Sequence, residues 1–146
     1  MKVQTTRFGE MEIDETSCFE MISPILGYDD ESKFILIERK ENANFKWFQS
    51  ARTPNLAFVV TVAGLFGIDY SYDLPEDVQE SLGIQEADDV LTLNMVAVPV
   101  DEPKESTINL LAPLVFNLHT KKGAQVVLNN PNYKVDYPLF KQEALC

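Results

Sequence analysis

Phe45-Lys46-Trp47-Phe48-Gln49-Ser50-Ala51-Arg52-Thr53-Pro54-Asn55-Leu56-Ala57-Phe58-Val59-Val60-Thr61-Val62 is the stretch on which the fold turns. Phe45, Trp47 and Gln49 alternate with Lys46, Phe48 and Ser50, and a period of two belongs to a strand with one aromatic face. Leu56 to Val62 is a nearly unbroken apolar run rich in Val and Phe, the pattern of a strand covered on both faces. Arg52-Thr53-Pro54-Asn55 joins them with turn-forming residues.

The same grammar extends in both directions. Val3 to Thr6 and Met11 to Ile13 are short β-friendly pieces around Phe8-Gly9-Glu10, an opening hairpin. Phe34-Ile35-Leu36-Ile37 is a second doubly covered strand, followed by a turn at Glu41-Asn42-Ala43-Asn44. Leu91, Leu93, Met95 and Ala97 alternate over Val90 to Val98 until Pro99 and Pro103 mark a loop. Leu114 to Leu118 and Ala124 to Leu128 flank Lys121-Lys122-Gly123 as a final hairpin. Two helical pieces interrupt this pattern. Ser17 and Glu20 have capping-box spacing for a turn of helix over Phe19 to Ile22, stopped by Pro24 and Gly27. Asp73 and Glu76 have the same spacing, with Pro75 in the first turn, Leu74, Val78 and Leu82 on one stripe and Gly83 at the end. About eight strands and one clear helix without βαβ alternation predict a mainly β fold, a small antiparallel β-barrel-like or sandwich domain with one short helix, in a single unit over 1–146.

Composition narrows the chemistry. The 146 residues are 45% hydrophobic, enough to bury a core without staples, and carry 23 acidic against 12 basic side chains for a net charge of -11. That sign repels phosphate backbones and anionic lipid, so nucleic acid and membrane surfaces are poor direct partners. Cys18 and Cys146 have no metal or redox spacing and fit a reducing compartment. The N-terminus lacks an apolar signal stretch, and no segment reaches the roughly 18–20 apolar residues of a membrane span. His119, the only histidine, reads as a surface residue at a strand end, and Cys18 as a half-buried structural cysteine. The acidic clusters Asp29-Asp30-Glu31, Glu86-Ala87-Asp88-Asp89 and Asp101-Glu102 lack a calcium-loop pattern and read as solvated loop charge. Gly64, Gly67, Gly83 and Gly123 are too scattered for a phosphate loop. The expectation is a protein without catalytic residues, cofactor or metal, which works by binding other proteins. A small carbohydrate enzyme with two carboxylates at a barrel mouth is the alternative.

Three blocks resemble the bacterial flagellar assembly factor FliW family. Pro24-Ile25-Leu26-Gly27-Tyr28, followed by acids and Phe34-Ile35-Leu36, is similar to the family's entry into a strand. Phe45 to Ser50 with Pro54-Asn55-Leu56-Ala57-Phe58-Val59-Val60 is similar to its next pair of segments. Ser106-Thr107-Ile108-Asn109-Leu110-Leu111-Ala112-Pro113-Leu114-Val115-Phe116-Asn117, then Gly123 to Leu128 and Tyr133, is the most specific match. The chain departs from the family at Pro24, Leu26 and Ala63-Gly64. The resemblance implies a small barrel-like, non-catalytic cytoplasmic protein that binds flagellin and, when flagellin is scarce, binds the translational repressor CsrA and relieves its repression. Candidate partner-contacting residues are Gln49, Asn55, Asn109, Asp101 and Glu102, with a structural or turn-fixing hydrogen bond as the alternative role for Gln49, Asn55 and Asn109, whereas Trp47 and Phe58 are assigned to the core ahead of an interface role. The segment after Phe140, Lys141 to Cys146, reads as a frayed end, with docking on a partner as the alternative.

Overall fold

The computed structural model describes residues 2–39 and 44–140. Eleven strands and one helix follow in chain order: β1 Lys2–Thr5, β2 Gly9–Glu12, β3 Cys18–Ser23, β4 Lys33–Glu38, β5 Lys46–Ser50, β6 Ala57–Thr61, α1 Glu76–Leu82, β7 Val90–Ala97, β8 Thr107–Ile108, β9 Leu114–Asn117, β10 Lys122–Gln125 and β11 Tyr137–Pro138. Strands β3, β4, β5, β6, β7, β9 and β10 each pair with the next, and β10 returns to β3, closing a seven-stranded barrel. Closure removes the free edges that an open sheet would leave. β8 and β11 extend outward from β7, and β1–β2 form a separate hairpin. Of the two architectures the sequence allowed, the barrel is the one adopted. Every pairing is antiparallel except β3–β10, which is parallel and forms the closing seam.

Aromatic rings fill the barrel. Phe34 stacks on Phe48 with centroids 4.6 Å apart, while Phe116 meets Phe19 at 4.9 Å and Phe48 at 5.4 Å. Met21, Val60, Leu93 and Leu114 complete this core. The outer face is covered in patches by the chain's own segments. The β1–β2 hairpin lays Val3 over Ile35 and Ile37, which explains why β4 is apolar on both faces. Helix α1 places Leu82 on Val115, Val126 and Leu128. Leu110 and Leu139 pack with Val96 and Ile108 along the β8–β11 side.

The expected turn of helix over Phe19 to Ile22 is a strand instead. Phe19 and Met21 are buried, and alternation places them both inside the barrel, so pairing with β4 and β10 overrides the local capping signal. The helical turn lies earlier, a 3₁₀ segment over Glu15–Ser17 in which the Asp14 carboxylate accepts from the Thr16 amide at 3.1 Å. The helix over 76–82 forms as expected and ends at Gly83 with φ 68, but its N-cap is Pro75 and Asp73 supplies no cap. The last hairpin forms with a different division of labour. Lys121 takes the positive φ of 62, and Gly123 sits inside β10, where a Cβ would come within 2.1 Å of Phe116 Cδ1. Residues 41–43 of the turn expected before β5, and the segment 141–146, lie outside the described residues.

Candidate functional site

The register across three strands builds an apolar row on the outside of the barrel. Trp47 of β5 lies opposite Val59 of β6, which in turn lies opposite Val96 of β7. Beyond that row the β6–β7 ladder stops, two residues short of the start of β6. The two strands part there, leaving a groove of about 580 Å³ whose floor includes Ala57, Phe58, Val59 and Val96. A more polar concavity near Tyr72 and Asn130 is smaller, about 430 Å³.

Each wall is held by short-range hydrogen bonding. On the β5 side, the Thr5 hydroxyl donates to the Gly9 carbonyl and accepts from the Phe8 amide, fixing the β1–β2 turn. That turn sets the Arg7 guanidinium 4.0 Å from the centre of the Trp47 ring and places Phe8 edge-on to the same ring. A cation over an indole face is favourable, so the wall is a preformed Arg–Trp pair. On the β7 side, Val98, Pro99, Val100 and Pro103 line the groove. A 3₁₀ turn over Pro103–Glu105 shapes this loop, with the Ser106 hydroxyl donating to the Pro103 carbonyl and the Leu139 amide donating to the Ser106 carbonyl. Val98 is 47% exposed and Val100 is 95% exposed, and Phe140, its ring edge-on to Phe66 at 5.9 Å, is still 39% exposed, so apolar surface faces solvent here.

The five candidate residues separate in space. Asp101 and Glu102 are exposed and fall between the groove-lining Val100 and Pro103, which brings both to its rim. Asn55 is exposed in the β5–β6 turn, next to the start of β6 where the groove opens. Gln49 is the correction: it is 1% exposed and presents nothing to a partner. Alternation does put it on the outer face with Trp47, but the following turn closes over it. Its side-chain amide donates toward the carbonyls of Ser50, Thr53, Pro54 and Leu56 at 3.1–3.3 Å. It is the internal brace of the turn that displays Asn55. Asn109 is half-buried, and its side-chain oxygen accepts from the Leu111 and Ala112 amides, so of its two proposed roles it performs the turn-fixing one.

Three further chemistry-bearing side chains, Glu31, His119 and Cys18, have local surroundings of their own. Glu31 is almost buried and accepts from the Ser50 and Thr53 hydroxyls, with the Arg52 guanidinium at 3.4 Å. These hydrogen bonds hold its carboxyl below the usual carboxylate range. Within the acidic triplet Asp29-Asp30-Glu31, read as solvated, this one member is instead a buried acceptor. His119 is exposed in the β9–β10 turn, its Nε2 2.7 Å from Asp89 Oδ1, and that hydrogen bond lowers the Asp89 carboxyl. Cys18 is half-buried, and burial pushes its thiol up, away from the thiolate needed by a nucleophile. Trp47 and Phe58 pack against core clusters as assigned, yet both also line the groove. The residues not anticipated from sequence are Arg7, Val98, Val100 and Phe140. Val100 carried a readable signal, as an apolar residue beside two acids in a loop bracketed by prolines.

Comparison with known proteins places this architecture. The family model described as FliW protein matches residues 2–139. The flagellar assembly factor FliW of Leptospira interrogans serovar copenhageni is 34% identical over 145 residues, covering 99% of this chain and 97% of that protein. The flagellar assembly factor FliW of Alkaliphilus metalliredigens is 36% identical, covering 97% and 88% respectively. A crystal structure of the flagellar assembly factor FliW superposes with a TM-score of 0.89 at 34% identity over 98% of this chain. A barrel filled by its own aromatic rings, at this identity over nearly the full length, has one reading: the chain belongs to the FliW family of flagellar assembly factors.

Proposed function

We infer that the chain acts, as one unit over 1–146, as a non-enzymatic regulator of flagellar assembly in the cytoplasm. It binds flagellin as a chaperone-like partner and, when flagellin is scarce, binds CsrA and antagonises its repression of translation. Membership of the FliW family is the observation that carries this reading. The exposed apolar groove supports it, since contiguous apolar surface rimmed by charge marks sites of protein association. Asp101, Glu102 and Asn55 are the proposed partner contacts. The net charge of -11 favours encounter with a basic RNA-binding protein while repelling the RNA itself.

The test is a pull-down with the tagged protein from lysates of a motile bacterium and of its flagellin-deleted strain. CsrA recovered when flagellin is absent, and displaced when purified flagellin is added back, is the expected result. Recovery of neither protein in any lysate overturns the proposal.

A further inference from the structure

The groove has dimensions and charges that specify what enters it. Its walls stand on β5 and β7, separated by β6 alone. Two strand spacings amount to roughly 10 Å, close to the ~10–12 Å width of one α-helix with its side chains. The floor between the walls, Val59 with Val96, is apolar. The β5 wall carries Arg7, and the β7 wall carries the loop of Asp101 and Glu102. Lys104 and Glu105 follow in that loop, leaving its net charge at minus two from three acids and one lysine.

Resting on the protein-binding reading above, we propose that this groove docks a single amphipathic α-helix of a partner protein, laid between β5 and β7. Its apolar stripe faces Trp47, Val59 and Val98. One flank carries acidic side chains against Arg7, and the other carries basic side chains against Asp101 and Glu102. Opposite charges on the two walls fix the helix direction, because reversing the helix would set like charges against each other.

Trp47 is the only tryptophan in the chain and so reports directly on occupancy. The probe is a synthetic alanine-based helix of about 18 residues with a leucine stripe at i, i+3, i+4 and i+7, glutamates on one flank and lysines on the other. Titrated into the full chain, it shifts Trp47 emission to shorter wavelength, whereas the same peptide with a central proline does not. Val98→Asp and Arg7→Glu each weaken the probe at least about tenfold, and Val127→Asp, exposed outside the groove, leaves it unchanged. Circular dichroism and thermal melting check that the variants stay folded, and Val100→Asp, at the most exposed lining position, repeats the test if Val98→Asp does not.

Equal binding of the helical and proline-broken peptides overturns the proposal. So does a Trp47 shift caused merely by deleting residues 141–146, or a self-association abolished by Val98→Asp, since the occupant would then be the chain's own end or a second copy. Purified flagellin and CsrA separate the two levels of argument. If they bind the wild type and Val98→Asp alike, the groove proposal fails and the regulatory reading stands. If the helix probe binds but neither protein does, the regulatory reading fails and the groove proposal stands.

Discussion

A single missing Cβ is what lets β10 lie against β9. At Gly123 an added methyl would meet Phe116 Cδ1 at 2.1 Å and the Val115 carbonyl oxygen at 2.8 Å, and the backbone oxygen cannot swing aside as a flexible side chain could. Gly123→Ala is therefore expected to destabilise the fold by about 3 kcal/mol or more, read as a lower urea midpoint; an unchanged midpoint would mean that the β9–β10 pair relaxes freely. Glu31 offers a second test at this scale. Its carboxyl is lowered by the Ser50 and Thr53 hydroxyls in the folded state. A depressed folded value contributes stability that is complete above the ordinary value of 4.5 and is lost as pH falls through the folded one. The melting temperature of the wild type should fall as pH drops below about 4.5, while Glu31→Gln gives a flatter profile and costs about 1 kcal/mol near neutrality. Parallel profiles for the two proteins would rule this carboxylate out as the source.

At the scale of elements, Asn117 ties three pieces together. Its side-chain amide donates to the Leu82 carbonyl at the end of α1, and its oxygen accepts from the His119 amide at the start of the β9–β10 turn. The residue is 3% exposed, so truncation leaves buried groups unpaired. Asn117→Ala should lower stability by about 2 kcal/mol and speed hydrogen exchange in α1 more than in β4 and β5. Uniform acceleration across the protein would show that the helix is not a separate unit. The β5–β6 turn follows the same logic through Gln49, whose amide is surrounded by four carbonyls of the turn that displays Asn55. Reading the strand period correctly placed Gln49 on the outer face, yet burial there depended on a turn folding back over it, which the period does not contain.

For the molecule as a whole, the excess of acidic side chains acts at long range. With a net charge of -11, the proposed association with purified CsrA should slow several-fold between about 50 and 500 mM NaCl, while dissociation changes less. Stopped-flow mixing that found the association rate insensitive to salt would sink the steering argument. Closure of the barrel is the other whole-molecule property. It leaves β1–β2, α1 and the β8–β11 side to cover the outer face, and the stretch over β5, β6 and β7 near Val98 stays open.

The strand content, the doubly covered strand β4, the helix ending at Gly83 and the surface histidine were legible from sequence because each rests on local spacing or on a single residue's backbone preference. In contrast β6, read as covered on both faces, is only half-buried at Ala57, Phe58 and Val59 where the groove opens. The strand at Cys18–Ser23 was hidden, since a capping-box pattern there is outweighed by partners about fifteen and a hundred residues away along the chain. Asp101 and Glu102 could be named from sequence as charge, but not as a rim. Arg7, Trp47, Val59, Val96 and Val98 come from four separate segments and meet only when β5, β6 and β7 take their register beneath the first hairpin. By itself the sequence determined the type of most elements, with β3 the exception, and the sign of the charge, because these depend on neighbours a few residues apart. The tertiary structure alone decided that the sheet closes through a parallel seam and where it leaves apolar surface uncovered, because both depend on which distant strands pair and in which register.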